Sequence, residues 1–194
     1  MKYVKILGLL AVAAAALMAF AGTASATTLT SPTGTVYTGS IHAASEGHAI
    51  LQNPIAKIEC ASTVEGTVEQ HGSGSTVKGN ISNLSFTGCT NSWHVTVVTA
   101  GSLELHWKAA GEGTVTSSGA TVEATRFGVA CRYATSNTDV GTLTDSHVKN
   151  GTATMDIHGL IPFHSGSFLC GEGTTTWEGS YLVDTPDLLY IDQN

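Results

Sequence analysis

Beyond an apolar run that ends near residue 26, hydrophobic and polar residues alternate with a period of two, punctuated by glycine and almost free of helical spacing. That pattern predicts short strands with one buried and one solvated face. Trp93, Val95 and Val97 alternate with His94, Thr96 and Val98. After Ala100-Gly101-Ser102, Leu103, Leu105 and Trp107 alternate with Glu104, His106 and Lys108. A three-residue bulged loop between the two runs predicts a hairpin with Val97 opposite Leu105 and Val95 opposite Trp107. Trp93 and Trp107 then turn inward, and His94, Thr96, His106 and Lys108 share the other face. A second hairpin is predicted at Ser118-Gly119, setting Val115 opposite Val122. Asn150-Gly151 predicts a type I′ turn between a strand ending at Lys149 and one running from Thr152 to His158, and Gly72-Ser73-Gly74 predicts another reversal. Pro32, Pro54, Pro162 and Pro186 are assigned to turns or strand ends, where a missing N–H does least harm. About a dozen short strands joined this way imply an all-β fold, an antiparallel β-sandwich or a rolled sheet.

The first 26 residues read as a cleaved signal helix. Lys2 and Lys5 supply a positive start, Ile6 to Phe20 an apolar stretch, and Ala24-Ser25-Ala26 a small-residue cleavage site, so the mature chain is expected to begin at Thr27. Roughly 15 apolar residues are short for a bilayer span, and no integral membrane span is expected in the mature chain. Residues 27–194 are of a length expected to form a single β domain. Because Lys2 and Lys5 leave with the signal, six Lys and Arg remain against fifteen Asp and Glu, a formal balance of −9. Nucleic acid is a poor partner for such a chain, since its binding requires clustered cations that displace counterions.

The four cysteines, Cys60, Cys89, Cys131 and Cys170, agree with export, because an even number in an oxidising compartment favours disulfides. They fall in two similar frames, about 57–98 and 128–183. Each opens on a strand-like Cys and closes on a Cys followed by Trp, at Trp93 and Trp177. Three connectivities are open, and the repeated frame argues for Cys60 with Cys89 and Cys131 with Cys170, each pinning one half of the sheet. The rival reading, a four-Cys zinc site, lacks the paired Cys-x-x-Cys knuckles such sites use.

Candidate chemistry is sparse. No Gly-x-Ser-x-Gly elbow, His-Glu-x-x-His, phosphate loop or EF-hand series occurs. In the expected hairpin, His94 and His106 share a face and form a weak metal-site candidate if a third ligand comes near; the plain alternative is solvated strand positions. Glu59, Glu65 and Glu69 contain the carboxylates a glycosidase pair would need, against a default of exposed charge. Trp93, Trp107 and Trp177 are candidates for a sugar platform, with core packing favoured. No cofactor is implied, and no metal site is assigned.

The mature chain resembles a family of exported bacterial proteins labelled protein activator of alkane oxidation, or PraB-like. The resemblance rests on Ser31-Pro32-Thr33-Gly34-Thr35-Val36-Tyr37, Ile58-Glu59-Cys60, Thr87-Gly88-Cys89-Thr90 and Arg126-Phe127-Gly128-Val129-Ala130-Cys131-Arg132-Tyr133. It continues through Trp177-Glu178-Gly179-Ser180-Tyr181 and Thr185-Pro186-Asp187-Leu188-Leu189-Tyr190-Ile191. These are framework positions, and the resemblance carries no catalytic motif. It implies a secreted or cell-surface β-protein associated with hydrocarbon use or surface attachment, with the periplasm as the other compartment. The expected function is non-enzymatic, with partners in the cell surface, the matrix or a hydrophobic interface. One alternative is self-association as a strand-exchanging fibre subunit through residues 27–44. A second is a secreted metal-binding protein or hydrolase.

Overall fold

Alternation along β4 (Ala56–Gln70) shows how the pattern becomes a wall. Ile58, Cys60, Ser62, Val64 and Val68 are buried, while Lys57, Ala61, Glu65, Thr67 and Glu69 are exposed. The structure, a computed structural model, describes residues 26–53, 55–70, 76–149, 151–170 and 173–193. Residues 1–25, with the expected signal and Ala24, lie outside the described residues, as do Pro54, the expected reversal at 72–74 and Asn150. From β4 the ladder passes antiparallel through β5 (Thr76–Thr87), β7 (Ser102–Ala109), β8 (Glu112–Ser118), β11 (Thr138–Thr144), β12 (Thr154–Gly166) and β13 (Thr174–Thr185). β2 (Ser40–Ser45) pairs with both β13 and β4 and so closes a ring of eight strands. Closure removes the free edges that an open sheet would present.

The long strands serve two structures. β3 (Ala49–Asn53) continues where β2 stops, with Leu51 opposite both Ile58 on β4 and Trp177 on β13. At the same end β12 leaves β11 and takes up β10 (Val129–Ala134), which pairs with β9 (Thr121–Arg126), itself paired with β6 (His94–Thr99). This second sheet packs on the first, and Leu51 and Ile58 share a small internal gap with Trp93, Ala124 and Tyr133. A barrel at one end thus grades into a sandwich at the other, so both expected forms of the all-β fold occur in one chain.

Two disulfides, Cys60–Cys89 and Cys131–Cys170, hold the sandwich end. Each joins a strand to the segment that follows that strand's antiparallel neighbour. Cys60 lies on β4 and Cys89 follows β5; Cys131 lies on β10 and Cys170 ends the 3-10 turn Phe168–Cys170 that follows β12.

A short ribbon of β1 (Thr27–Thr30) and β14 (Tyr190–Gln193) contacts the barrel wall at β5 and β7. All four residues of β1 are buried. The ribbon is fastened by Asp145, a buried residue whose carboxylate accepts from the Val148 and Ile191 amides at 3.0 and 3.2 Å. Ser146 adds a reciprocal pair with Leu189.

At the joint of barrel and sandwich, Tyr181 is fully buried, with its ring edge-on to Trp177. Burial pushes its phenol pKa up. Above about pH 10 the unfolded chain therefore loses this proton before the folded one does, and stability is expected to fall as pH rises. Tyr181→Phe should flatten that alkaline decline in pH-dependent thermal unfolding; an unchanged slope would assign the decline elsewhere.

The hairpins expected at Gly101 and at Ser118-Gly119 do not form, whereas the strands on either side of the reversal expected at 72–74 do pair antiparallel, with Gln70 opposite Val77. β6 pairs with β9, and β7 pairs with β5 and β8, so Val97 lies opposite Val122 and Leu105 opposite Val77 and Val115. Val115 on β8 is not opposite Val122. Ala100-Gly101 and Gly119-Ala120 are instead crossovers between sandwich and barrel that pass side by side. Gly101 has φ +74°, and a Cβ there would sit 2.4 Å from both the Ser118 carbonyl oxygen and the Ala120 amide nitrogen. A tight crossing of two chain segments, rather than a hairpin, is what these glycines permit.

The expected strand ending at Lys149 is a helical turn, α1 (Ser146–Lys149), and β12 starts at Thr154 rather than Thr152. Asp145 overrides the strand pattern by accepting from the turn's amide at Val148. Pro162 lies within β12, opposite Thr174, where the strand changes partner, rather than at its end.

Candidate functional site

The residues proposed for chemistry are dispersed. His94 is exposed on β6 and His106 half-buried on β7, 3.9 Å from Glu104. With β6 on β9, the register that would have put the two imidazoles on one hairpin face is gone. No group of three or more His, Cys, Asp or Glu residues placed to hold a metal ion occurs among the described residues. Glu59, Glu65 and Glu69 share the outer face of one strand, as their spacing requires, but at about 3.3 Å per residue they lie about 20 and 13 Å apart. Glycosidase carboxylates stand within about 10 Å of each other. Glu59 is instead held below the usual carboxylate range by its hydrogen bond and ion pair with Lys57, at 2.6 Å.

The tryptophans form no platform. Trp93 is buried in the sandwich, and Trp177 is buried with its ring edge-on to Phe86 at 6.2 Å. Trp107, expected inward beside Trp93, is 36% exposed at the barrel end, where its amide donates to the Thr27 hydroxyl. Alternation assigns it the same strand face as Leu105, but the wall ends one residue on, at a register shift before Ala109. Ala26 stands just before β1, and Thr27 opens it.

Two features that motif searching missed remain. The first is an apolar tip beside the Cys131–Cys170 bridge. Phe127 is 84% exposed and Phe168 91% exposed, with Leu169 also exposed. Both phenylalanines flank the start of β10: Phe127-Gly128 is the two-residue turn between Arg126 and Val129, and Ser167 donates to the Ala130 carbonyl just before Phe168. Phe127 and Gly128 have φ of +48° and +81°, the signature of a type I′ turn, whose first position favours Asn, Asp or Gly. A phenylalanine there is strained backbone supporting a ring in solvent. The Arg126 guanidinium lies 4.7 Å from the Phe127 ring centroid and 5.8 Å from that of Trp93, tying the tip to the sandwich core. The dipeptide Phe127-Gly128 between alternating runs was the available signal. The second feature is a partly open pocket of about 100 Å³ in the barrel, walled almost wholly by apolar side chains.

These observations define a class: a disulfide-stapled antiparallel β-barrel protein with an apolar interior and an aromatic tip. The chain belongs to the alkane oxidation protein activator PraA/PraB-like family, whose model matches residues 1–177. That name is one of an activator. Neither a curated protein nor a solved structure matches the chain. No helix among the described residues is long and apolar enough to cross a membrane.

Proposed function

We propose that this is an exported, non-enzymatic β-protein of the cell surface or surrounding matrix that attaches to a hydrophobic phase through Phe127, Phe168 and Leu169. Export rests on the N-terminal signal pattern with cleavage before Thr27, and on two disulfides, which persist in oxidising compartments. The observation that carries attachment is the exposure of two phenylalanines beside one bridge, one of them in a backbone conformation that a smaller polar residue would fill with less strain. Transferring each ring from water into an apolar phase contributes about 2 kcal/mol. Two exposed rings on the two turns that flank the start of β10 outweigh the scattered apolar exposure that any protein surface shows.

The test is adsorption of the purified mature protein to an oil–water interface, compared with Phe127→Asn/Phe168→Asn. The double variant is expected to adsorb at least about tenfold more weakly, since more than 1.4 kcal/mol of ring transfer is removed. Phe127→Asn alone is expected to raise unfolding stability by about 1 kcal/mol, because Asn-Gly suits the turn. A variant that adsorbs as the parent does would reject this attachment site.

The strand-exchange alternative assigns residues 27–44 to another chain. Here β1 pairs with β14, and β2 with β4 and β13, of the same chain.

A further inference from the structure

We propose that the barrel interior is a binding site for one small apolar molecule, a hydrocarbon of a few carbons or a gas atom of similar size, independent of the aromatic tip. The cavity of about 100 Å³ lies among Val64, Val68, Leu103, Leu105, Val115 and Met155, with Leu29 and Leu189 also reaching it. A water molecule in a cavity needs two to four polar partners, and this lining offers almost none. Apolar cavities of about 150 Å³ stay dry and accept benzene or xenon. The smaller volume here suits a guest of a few carbons.

Gly79 contributes to the space. It lies on β5 between Val77 and Ile81, which line the same cavity, and opposite Val68 on β4 and Leu103 on β7. Alternation demands an inward side chain at this position. No turn or positive φ requires glycine, and a Cβ would meet only the carbonyl oxygens of Thr67 and Leu103, at ordinary contact distances of 3.8 and 3.9 Å. Contrast Gly113, where a Cβ would strike the Leu105 side chain at 2.5 Å, so that glycine is needed for packing. Glycine inside a strand weakens it and often marks a place where something else approaches the backbone closely. At Gly79 the missing side chain leaves room for a guest.

The experiment is methyl-resolved NMR of the intact mature protein under increasing xenon pressure, with propane as the hydrocarbon probe. Saturable shifts are expected at the Leu103, Leu105, Val115 and Met155 methyls, and they are expected to vanish in Gly79→Val while the variant melts no lower than the parent. Absence of saturable shifts in the parent protein would overturn the proposal whatever the variant does. So would shifts that persist in a folded Gly79→Val. Leu105→Ala is the converse variant, expected to enlarge the space and admit benzene. Shifts confined to the surroundings of Phe127 and Phe168 would also overturn the interior site, while leaving the attachment reading standing.

Discussion

Replacing Cys131 and Cys170 together by serine is expected to lower unfolding stability by roughly 3 to 4 kcal/mol, the cost of releasing a loop of this length in the unfolded chain. The same holds for Cys60 and Cys89, whose sequence separation is 29 against 39, because loop entropy grows only logarithmically with length. Urea unfolding measures both, with a rise in the m-value as the unfolded chain loses its cross-link. The two pairs are expected to differ in function. Cys170 ends the short turn that carries Phe168 and Leu169, and Cys131 fixes that turn against β10. Cys60 is buried in β4, opposite Ala49 on β3, and its bridge holds neither Phe168 nor Leu169. Loss of the Cys131–Cys170 bridge should therefore weaken adsorption to an oil–water interface at temperatures where the protein remains folded. Loss of the other bridge should leave adsorption intact. Equal effects from the two pairs would show that adsorption does not depend on a rigid tip.

Asp145→Ala is expected to cost about 2 kcal/mol and to detach the β1–β14 ribbon before the barrel unfolds. The carboxylate is buried and accepts from the Val148 and Ile191 amides, so alanine takes the acceptor from both, and the Ile191 amide is left unpartnered in a buried position. An unsatisfied buried donor costs about 1 to 3 kcal/mol. The strands of the ribbon are only four residues long, so the loss falls on it rather than on the long strands of the barrel. Hydrogen exchange reads the result directly: amides of β1 and β14 should lose protection while those of β4 and β12 keep theirs. Uniform loss across all four strands would mean that the ribbon and barrel unfold as one unit, and that Asp145 does not act locally. Asp145→Asn, which keeps one acceptor oxygen, should recover part of the protection.

Legibility followed the range of the interaction. Period-two alternation in 58–68 and 103–107 marked real strands, because it reports which side chains point the same way within one segment. It could not report which strand lies alongside. The expected pairing of the segment at Trp93 with the one at Leu103 failed for that reason: a crossover at Gly101 and a hairpin at Gly101 have the same local composition. The helical turn at Ser146 failed differently, through a polar residue, Asp145, whose partners include an amide 46 residues away. The family likeness was carried by framework residues, and residues 1–177 match that family. The candidate sites were much less legible. Exposure of Phe127 and Phe168 contradicts the ordinary preference of phenylalanine for the core, and Gly79 looks like any other glycine in a chain with 22 of them.

The sequence by itself determined that the chain is built of strands and that its cysteines fall in two matched frames, because alternation and spacing are local properties. Only the tertiary structure decided that the ladder closes into a barrel and that Asp145 fastens a ribbon to it. It also decided that Gly79 faces an unfilled interior, and that two phenylalanines are held in solvent. Each of these depends on what lies across a strand or a cavity from a residue, and such neighbours are fixed by long-range pairing and volume rather than by adjacent positions in the chain.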